Sequence, residues 1–313
     1  MDNKEKMGNK RMNKLSLRGG TQCRRGNLNI KKILRFLRSR CSLRMTTAYI
    51  ILTLGAISML VPFFWMLATS FMTTAQIFSY PPVLIPHPFY PQNYSNVAKA
   101  IPLVKYFFNS AFIAIITTIG QVIISSMAAY AFARLNFKYR EPLFLVLLAT
   151  MMVPPQVNII PLFFIMRELH WIDTYQALIV PGLFGGFGVF LLRQWFKTLP
   201  AELEDAAKID GCNPFQSYLK IAMPLALPAV ATLGIFTFIT TWNSFMWPLI
   251  VTNSDYMRTL PVGLAIFKGS FRETTEWGQL MACAVISVIP VIGVFLLGQK
   301  YFIKGIMMGG VKE

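Results

Sequence analysis

Six long runs without a single Lys, Arg, Asp or Glu constrain this chain more than any other feature. They cover residues 46–71, 107–132, 142–166, 174–192, 222–250 and 277–298. The hydrocarbon core of a bilayer takes roughly 20 consecutive apolar residues to cross as a helix, and every backbone polar group inside it must be satisfied within the segment. The runs therefore predict an all-α integral membrane protein with six transmembrane helices. Composition agrees: 14% of the 313 residues are charged, against roughly 25% in soluble domains.

The charge that remains sets the orientation. Of 30 basic residues, 14 precede the first run, and Arg134, Lys138 and Arg140 separate the second from the third. Arg193, Lys197, Lys208 and Lys220 lie between the fourth and fifth, and Lys300, Lys304 and Lys312 follow the sixth. Six remain for the other side. Basic residues collect in cytoplasmic loops, so both termini are expected in the cytoplasm. Residues 1–44 read as a basic, disordered cytoplasmic tail and 45–313 as the transmembrane domain, with Met1, Met12 and Met45 all possible starts. The first run is too long for a signal peptide and no small-residue cleavage pattern follows it. A net charge of +17 does not imply nucleic acid, because the basic residues flank apolar spans.

Metal and catalytic chemistry find little support. Cys23, Cys41, Cys212 and Cys283 have neither metal-ligand nor disulfide-framework spacing, and are read as reduced. His87 and His170 stand far apart. No His, Asp or Glu lies in a run where an intramembrane protease or an ion-coupled carrier would need one.

The runs are not plain anchors. Pro154 and Pro155 interrupt the third, Pro224 and Pro228 open the fifth, and Pro290 lies inside the sixth. Each removes a backbone donor, so a neighbouring helix or a watery path must satisfy the freed carbonyl. Gly182 and Gly186, four apart, permit close helix contact, read here as packing inside one bundle. The outer loop 72–106 holds Pro81, Pro82, Pro86, Pro88 and Pro91 with several aromatics; a compact cap and a landing surface for an external partner both fit it. Asn109, Gln121, Gln156, Asn158, Trp242, Asn243 and Trp247 are neutral polar and aromatic side chains within the runs. They suit sugar hydroxyls and C–H faces, or else hydrogen bonds across helices.

The loop between the fourth and fifth runs carries the strongest local pattern. Pro200 suits a first helical turn, and Glu202, Glu204 and Asp205 follow where a helix N-terminus favours acids. Leu203, Ala206, Ala207 and Asp210 fall on one face, thin enough for another protein to approach, or simply solvated. Gly211 is placed to end the helix. Asn213, Pro214 and Gln216 are placed to start a second one, as N-cap, first helical residue and capping-box partner.

Those residues resemble ABC-importer permeases of the carbohydrate, maltose-transporter type, in the second-permease-subunit branch. The family pattern is an acid, Ala-Ala, two residues, Asp-Gly, nine residues, then Ile-x-Leu-Pro. Here it reads Asp205, Ala206, Ala207, Asp210, Gly211, then Ile221 through Pro224, with Met223 replacing the usual Leu and Asp205 the usual Glu, though Glu204 stands beside it. The resemblance covers roughly residues 45–313. It extends to the segments 152–161, 242–248 and 258–263 and to the tail from Tyr301.

The resemblance implies a non-enzymatic permease subunit in the plasma membrane of a bacterium or archaeon, for a sugar or oligosaccharide; a permease for another small polar solute and an ion-coupled carrier are the alternatives. The subunit would pair with a second homologous permease subunit, two ABC ATPase subunits and an extracytoplasmic solute-binding protein, within membrane lipid. No cofactor would be held by this chain, since ATP would be used by the partner ATPase; the sequence has no Gly-x4-Gly-Lys-Ser/Thr phosphate loop. Glu204, Asp205, Ala206, Ala207, Asp210, Gly211, Ile221, Pro224 and Pro228 would form the ATPase-coupling loop, driving alternating access.

Overall fold

The computed structural model describes residues 48–270 and 276–310, all helices and connections with no strand among them. The 1–44 tail and its alternative starts lie outside the described residues, as do the last three residues. The chain divides into two units, Met1–Trp65 and Met66–Glu313. Most of helix α1 (Ala48–Ser70), 23 residues with a mean hydropathy of 2.2, belongs to the first.

In the second unit, α4 (Leu103–Arg134) and α15 (Trp277–Gly310) are each long and apolar enough to cross a membrane. So is the stretch Tyr175–Thr198, which joins α7 (Tyr175–Ile179) to α8 (Gly186–Thr198). Two further spans are bent pairs, bringing the described total from four to as many as six. In the first pair α5 (Arg140–Met151) turns by 89° into Pro155–Glu168, whose main helix is α6 (Ile159–Glu168). Pro154 sits extended at the corner with ψ 132°. Tandem prolines remove two donors and push the residue before each out of the helical region, so a break replaces the kink that one proline would give.

The run 222–250, expected to be one span, is divided. Helix α12 (Leu227–Trp242) ends at Asn243, and the short α13 (Met246–Val251) follows. Pro248, in the first turn of α13, has no N–H for the carbonyl of Ser244, which favours a break just before α13.

Helix α4 is packed on one side by α8 and on another by α12. Close approach is possible because Gly182 lies against Thr117 and Gly188 against Ser125; a Cβ on either would come to 2.7 Å of the neighbouring side chain. The expected close packing at the glycines is thus found inside one bundle. At one end the core is Tyr130, Phe144, Leu192, Phe196, Tyr218 and Leu233. At the other it is Val97, Leu103, Tyr106, Trp242, Leu260 and Leu280.

The loop 72–106 is partly folded. It contains α2 (Thr74–Ile77) and α3 (Gln92–Ala100), and α3 packs on α15. Buried Asn93 donates to the carbonyls of Ser70 and Met72, both at 2.9 Å, and the rings of Phe71 and Phe89 stack at 4.3 Å. Phe78, Tyr80, Leu84 and Ile85 remain exposed.

Candidate coupling helices and span polar residues

The segment after α8 forms helix α9 (Glu202–Ile209). It begins two residues later than a proline-led start would give. Leu199 is extended, as a residue before proline prefers, so Pro200 stays outside and Ala201 is the N-cap. Glu202, Glu204 and Asp205 do occupy the first turn. The helix ends in a Schellman motif: Cys212 N–H donates to Ala207 O at 2.9 Å and Gly211 N–H to Lys208 O at 3.0 Å. Gly211 has φ +79°, a conformation that costs a residue with a Cβ roughly 1 kcal/mol or more.

Helix α10 (Pro214–Ser217) starts on the expected capping box. Asn213 Oδ1 accepts from Gln216 N–H at 2.8 Å, and Gln216 Oε1 accepts from Asn213 N–H at 3.0 Å. A π-helical turn, Tyr218–Ala222, and the single turn α11 (Met223–Leu225) continue it, and the chain then bends by 79° into α12. Pro224 cannot donate to Lys220 O nor Pro228 to Pro224 O, which locates the bend. Ile221 and Pro228 are half-buried beside it, and Pro224 is exposed.

The two faces of α9 differ. Ala207 is buried, so the adjacent alanines do not form one outer surface as their pairing suggested. Asp205, Ala206, Ile209 and Asp210 point outward, Ile209 at 87% exposure. Asp205 pairs with Lys208 at 3.0 Å in water, which contributes little. Glu204 turns inward and its carboxylate stands 3.4 Å from Arg134 Nε.

Arg134 ends α4 and reaches two other elements. Its Nη2 donates to Phe196 O at 2.6 Å and to Leu199 O, both at the C-terminus of α8, while Nε faces Glu204. Side-chain exposures are 11% for Arg134 and 17% for Glu204. Removing one partner from a fully buried pair costs roughly 3–5 kcal/mol, and residual water here lowers that. A second arginine, Arg193, is buried in α8. It donates to Phe132 O at 3.1 Å and to Glu141 at 2.6 Å, with its guanidinium 3.7 Å from the Phe144 ring centre.

The polar residues of the spans separate into two groups. Asn109 is 2% exposed and fully engaged: its amide donates to Tyr256 O at 2.6 Å and Arg258 O at 3.0 Å, and it accepts from the Tyr175 hydroxyl at 2.8 Å. Trp242 is buried, stacks on Phe238 and donates to Ser287 O at 3.0 Å. Half-buried Trp247 donates to Ala177 O at 2.9 Å. These three bond across helices and loops, the second of the two readings their sequence left open. Gln121 is half-buried against Gly185. Gln156 and Asn158 are exposed in the broken third span, and Asn243 is exposed at the end of α12. Asn243 opens on a hollow of about 460 Å³ between α12, α14 (Leu260–Ser270) and α15, lined also by Phe245, Leu280, Met281 and Ser287.

The helix pair, its glycine turn and the bent span behind it lie within one matched region. Residues 121–307 match the family described as binding-protein-dependent transport system inner membrane component. The chain belongs to this family. Within it, the chain is 39% identical over 207 residues to the arabinooligosaccharides transport system permease protein AraQ of Halalkalibacterium halodurans, covering 66% of this chain and 74% of that one. It is 32% identical over 265 residues to the sn-glycerol-3-phosphate transport system permease protein UgpE of Yersinia enterocolitica, covering 83% and 94%. A bacterial ABC transporter involved in importing the acidic polysaccharide alginate contains a chain of the same fold, with TM-score 0.73, 24% identity and coverage of 82% and 95%.

This binding-protein-dependent permease carries features that sequence reading missed. The exposed apolar Ile209 and Phe215 were passed over because neither breaks the helical pattern around it. Arg134 was counted only as a cytoplasmic charge. Its signal was its place as the first basic residue after an apolar run of helix length. Among the described residues, no group of three or more His, Cys, Asp and Glu is placed to hold a metal ion.

Proposed function

We propose that this chain is one transmembrane subunit of an ATP-driven importer for a neutral sugar or oligosaccharide, with both termini cytoplasmic. A second homologous permease subunit, two ABC ATPases and an external solute-binding protein complete the machine in a bacterial or archaeal cell membrane. The chain itself hydrolyses nothing.

The observation that carries this reading is the outward face of α9, with Asp205, Ala206, Ile209 and Asp210 uncovered beside a glycine-hinged second helix. An ATPase groove fits that face, and Phe215 on α10 offers an apolar anchor at 57% exposure. Closure of the ATPases on ATP would displace α9 and α10, and the bend at Pro224 and Pro228 would carry the displacement into α12. Rigid-body movement of this kind exchanges inward- and outward-facing states. Of the adjacent acids Glu204 and Asp205, the second is the one that faces outward to the ATPase.

The cargo assignment draws on the relatives and on the hollow beside Asn243. An amide and a hydroxyl among aromatic and aliphatic groups suit a sugar's hydroxyls and C–H faces, and among the described residues no charged side chain lines it. A phosphate ester is the second reading, favoured by the likeness to UgpE.

Reconstitution in liposomes tests the proposal. With partner permease, ATPases and binding protein, ATP should drive accumulation of a neutral oligosaccharide. Transport by the purified chain alone, without ATPase, would contradict it. Preferential accumulation of a phosphate ester would move the cargo to the second reading.

A further inference from the structure

Three helix ends meet at one guanidinium. Arg134 closes α4, Phe196 and Leu199 belong to the C-terminal end of α8, and Glu204 lies in the first turn of α9. Electrostatics favour this arrangement at each contact. A cation sits on the free carbonyls at a helix C-terminus, and a carboxylate sits at a helix N-terminus. Only residues 199–201 connect α8 to α9, so the chain by itself leaves α9 free to swing.

We propose that Arg134 and Glu204 form a clasp that makes α9 part of the same moving body as α4 and α8. A push on the outer face of α9 then displaces the bundle instead of being absorbed in the three-residue connection. Arg134 is a positioning residue: it touches neither solute nor nucleotide, and acts through α9. Its two carbonyl bonds fix it to α8, while the Nε–Glu204 contact at 3.4 Å is an ion pair without hydrogen-bond alignment. The weakest bond of the clasp is therefore the one to α9. The opposite end of the helix pair has its own tie, since the Tyr218 hydroxyl lies 2.7 Å from Ser126 Oγ on α4. Without the clasp α9 is held by that end, by buried Ala207 and by its connection to α8.

The inference rests on the ATP-driven reading above, and the test keeps the two apart. In liposomes holding the complete transporter, ATP hydrolysis and solute uptake are measured together for the wild type, Glu204→Gln, Arg134→Gln and Arg134→Lys. The amide of Glu204→Gln keeps the size and removes the charge. Assembly and hydrolysis should stay within about twofold, while uptake falls about tenfold, so that ATP consumed per solute rises about tenfold. Arg134→Lys keeps the charge without the fork, and should lie between wild type and Arg134→Gln. An unchanged ATP-to-solute ratio, whether both activities fall together or neither moves, overturns the clasp. So does loss of assembly in Glu204→Gln, because the pair then acts only in folding. Failure of the wild type to couple uptake to ATP would instead contradict the proposed function.

Discussion

Where α4 begins, Asn109, Tyr175 and Asp173 use their hydrogen-bonding groups on neighbouring side chains and backbone. Where α4 ends, α9 and α10 leave Asp205, Ile209 and Phe215 uncovered. The first end is closed upon itself: the segment around Tyr256 and Arg258 is held to α4 through Asn109, and Leu260 N–H is held by Ser110 at 2.8 Å. The second is tied inward by Arg134 and Glu204 and open outward. A polar residue inside a span is thus no guide to cargo, because a buried amide must find partners. An exposed apolar side chain on a charged loop points more directly to a partner.

The largest effect should come from the open end. Gly211→Pro places a fixed φ near −65° where the chain has +79° and removes the N–H that bonds Lys208 O. ATP-driven uptake should fall to background with the protein still present in the membrane. Uptake near wild type would break the comparison there.

Next is Asn109→Ala. It strips partners from Tyr256 O, Arg258 O and the Tyr175 hydroxyl, and should destabilise the permease by about 2–4 kcal/mol, read as a drop in Tm. Were Asn109 a solute contact, apparent affinity would fall with Tm unchanged.

Asp205→Lys should weaken co-purification of the ATPase about tenfold while changing stability by less than about 0.5 kcal/mol, as suits an exposed pair. Unchanged binding would shift the contact along α9.

The smallest effect concerns Asp173. Burial pushes its carboxyl upward, but bonds from Ser254 and the Asn253 N–H, with the charge of Arg258, outweigh burial and hold it below the usual carboxylate range. A lowered folded value gives stability that is present above the unfolded value of about 3.9 and is lost as pH falls through the folded value. Asp173→Asn should therefore lower Tm slightly at pH 7, with the difference fading below about pH 4. A difference growing in acid would reverse the sign.

Much of this was legible in the residues. The apolar runs gave the spans, Gly211 the turn, and Asn213 with Gln216 the second helix start, since each depends on local chemistry. The inward turn of Ala207 and Glu204 was not legible, because it depends on where α4 ends in space. Nor was the division of the fifth run after Trp242, because the run stays uncharged across it and a proline can lie inside a helix, as Pro290 does in α15. Asn109 and Trp242 stayed open between cargo contact and helix tie for a related reason: their partners lie far away in sequence.

The central claim is that α9 faces an ATPase with one side and its own bundle with the other. Single cysteines from position 202 to 210, cross-linked in the assembled transporter, test it most directly. The account predicts ATPase adducts at Asp205→Cys, Ala206→Cys and Ile209→Cys and none at Glu204→Cys or Ala207→Cys. Adducts at 204 and 207, or equal labelling all round the helix, would contradict it.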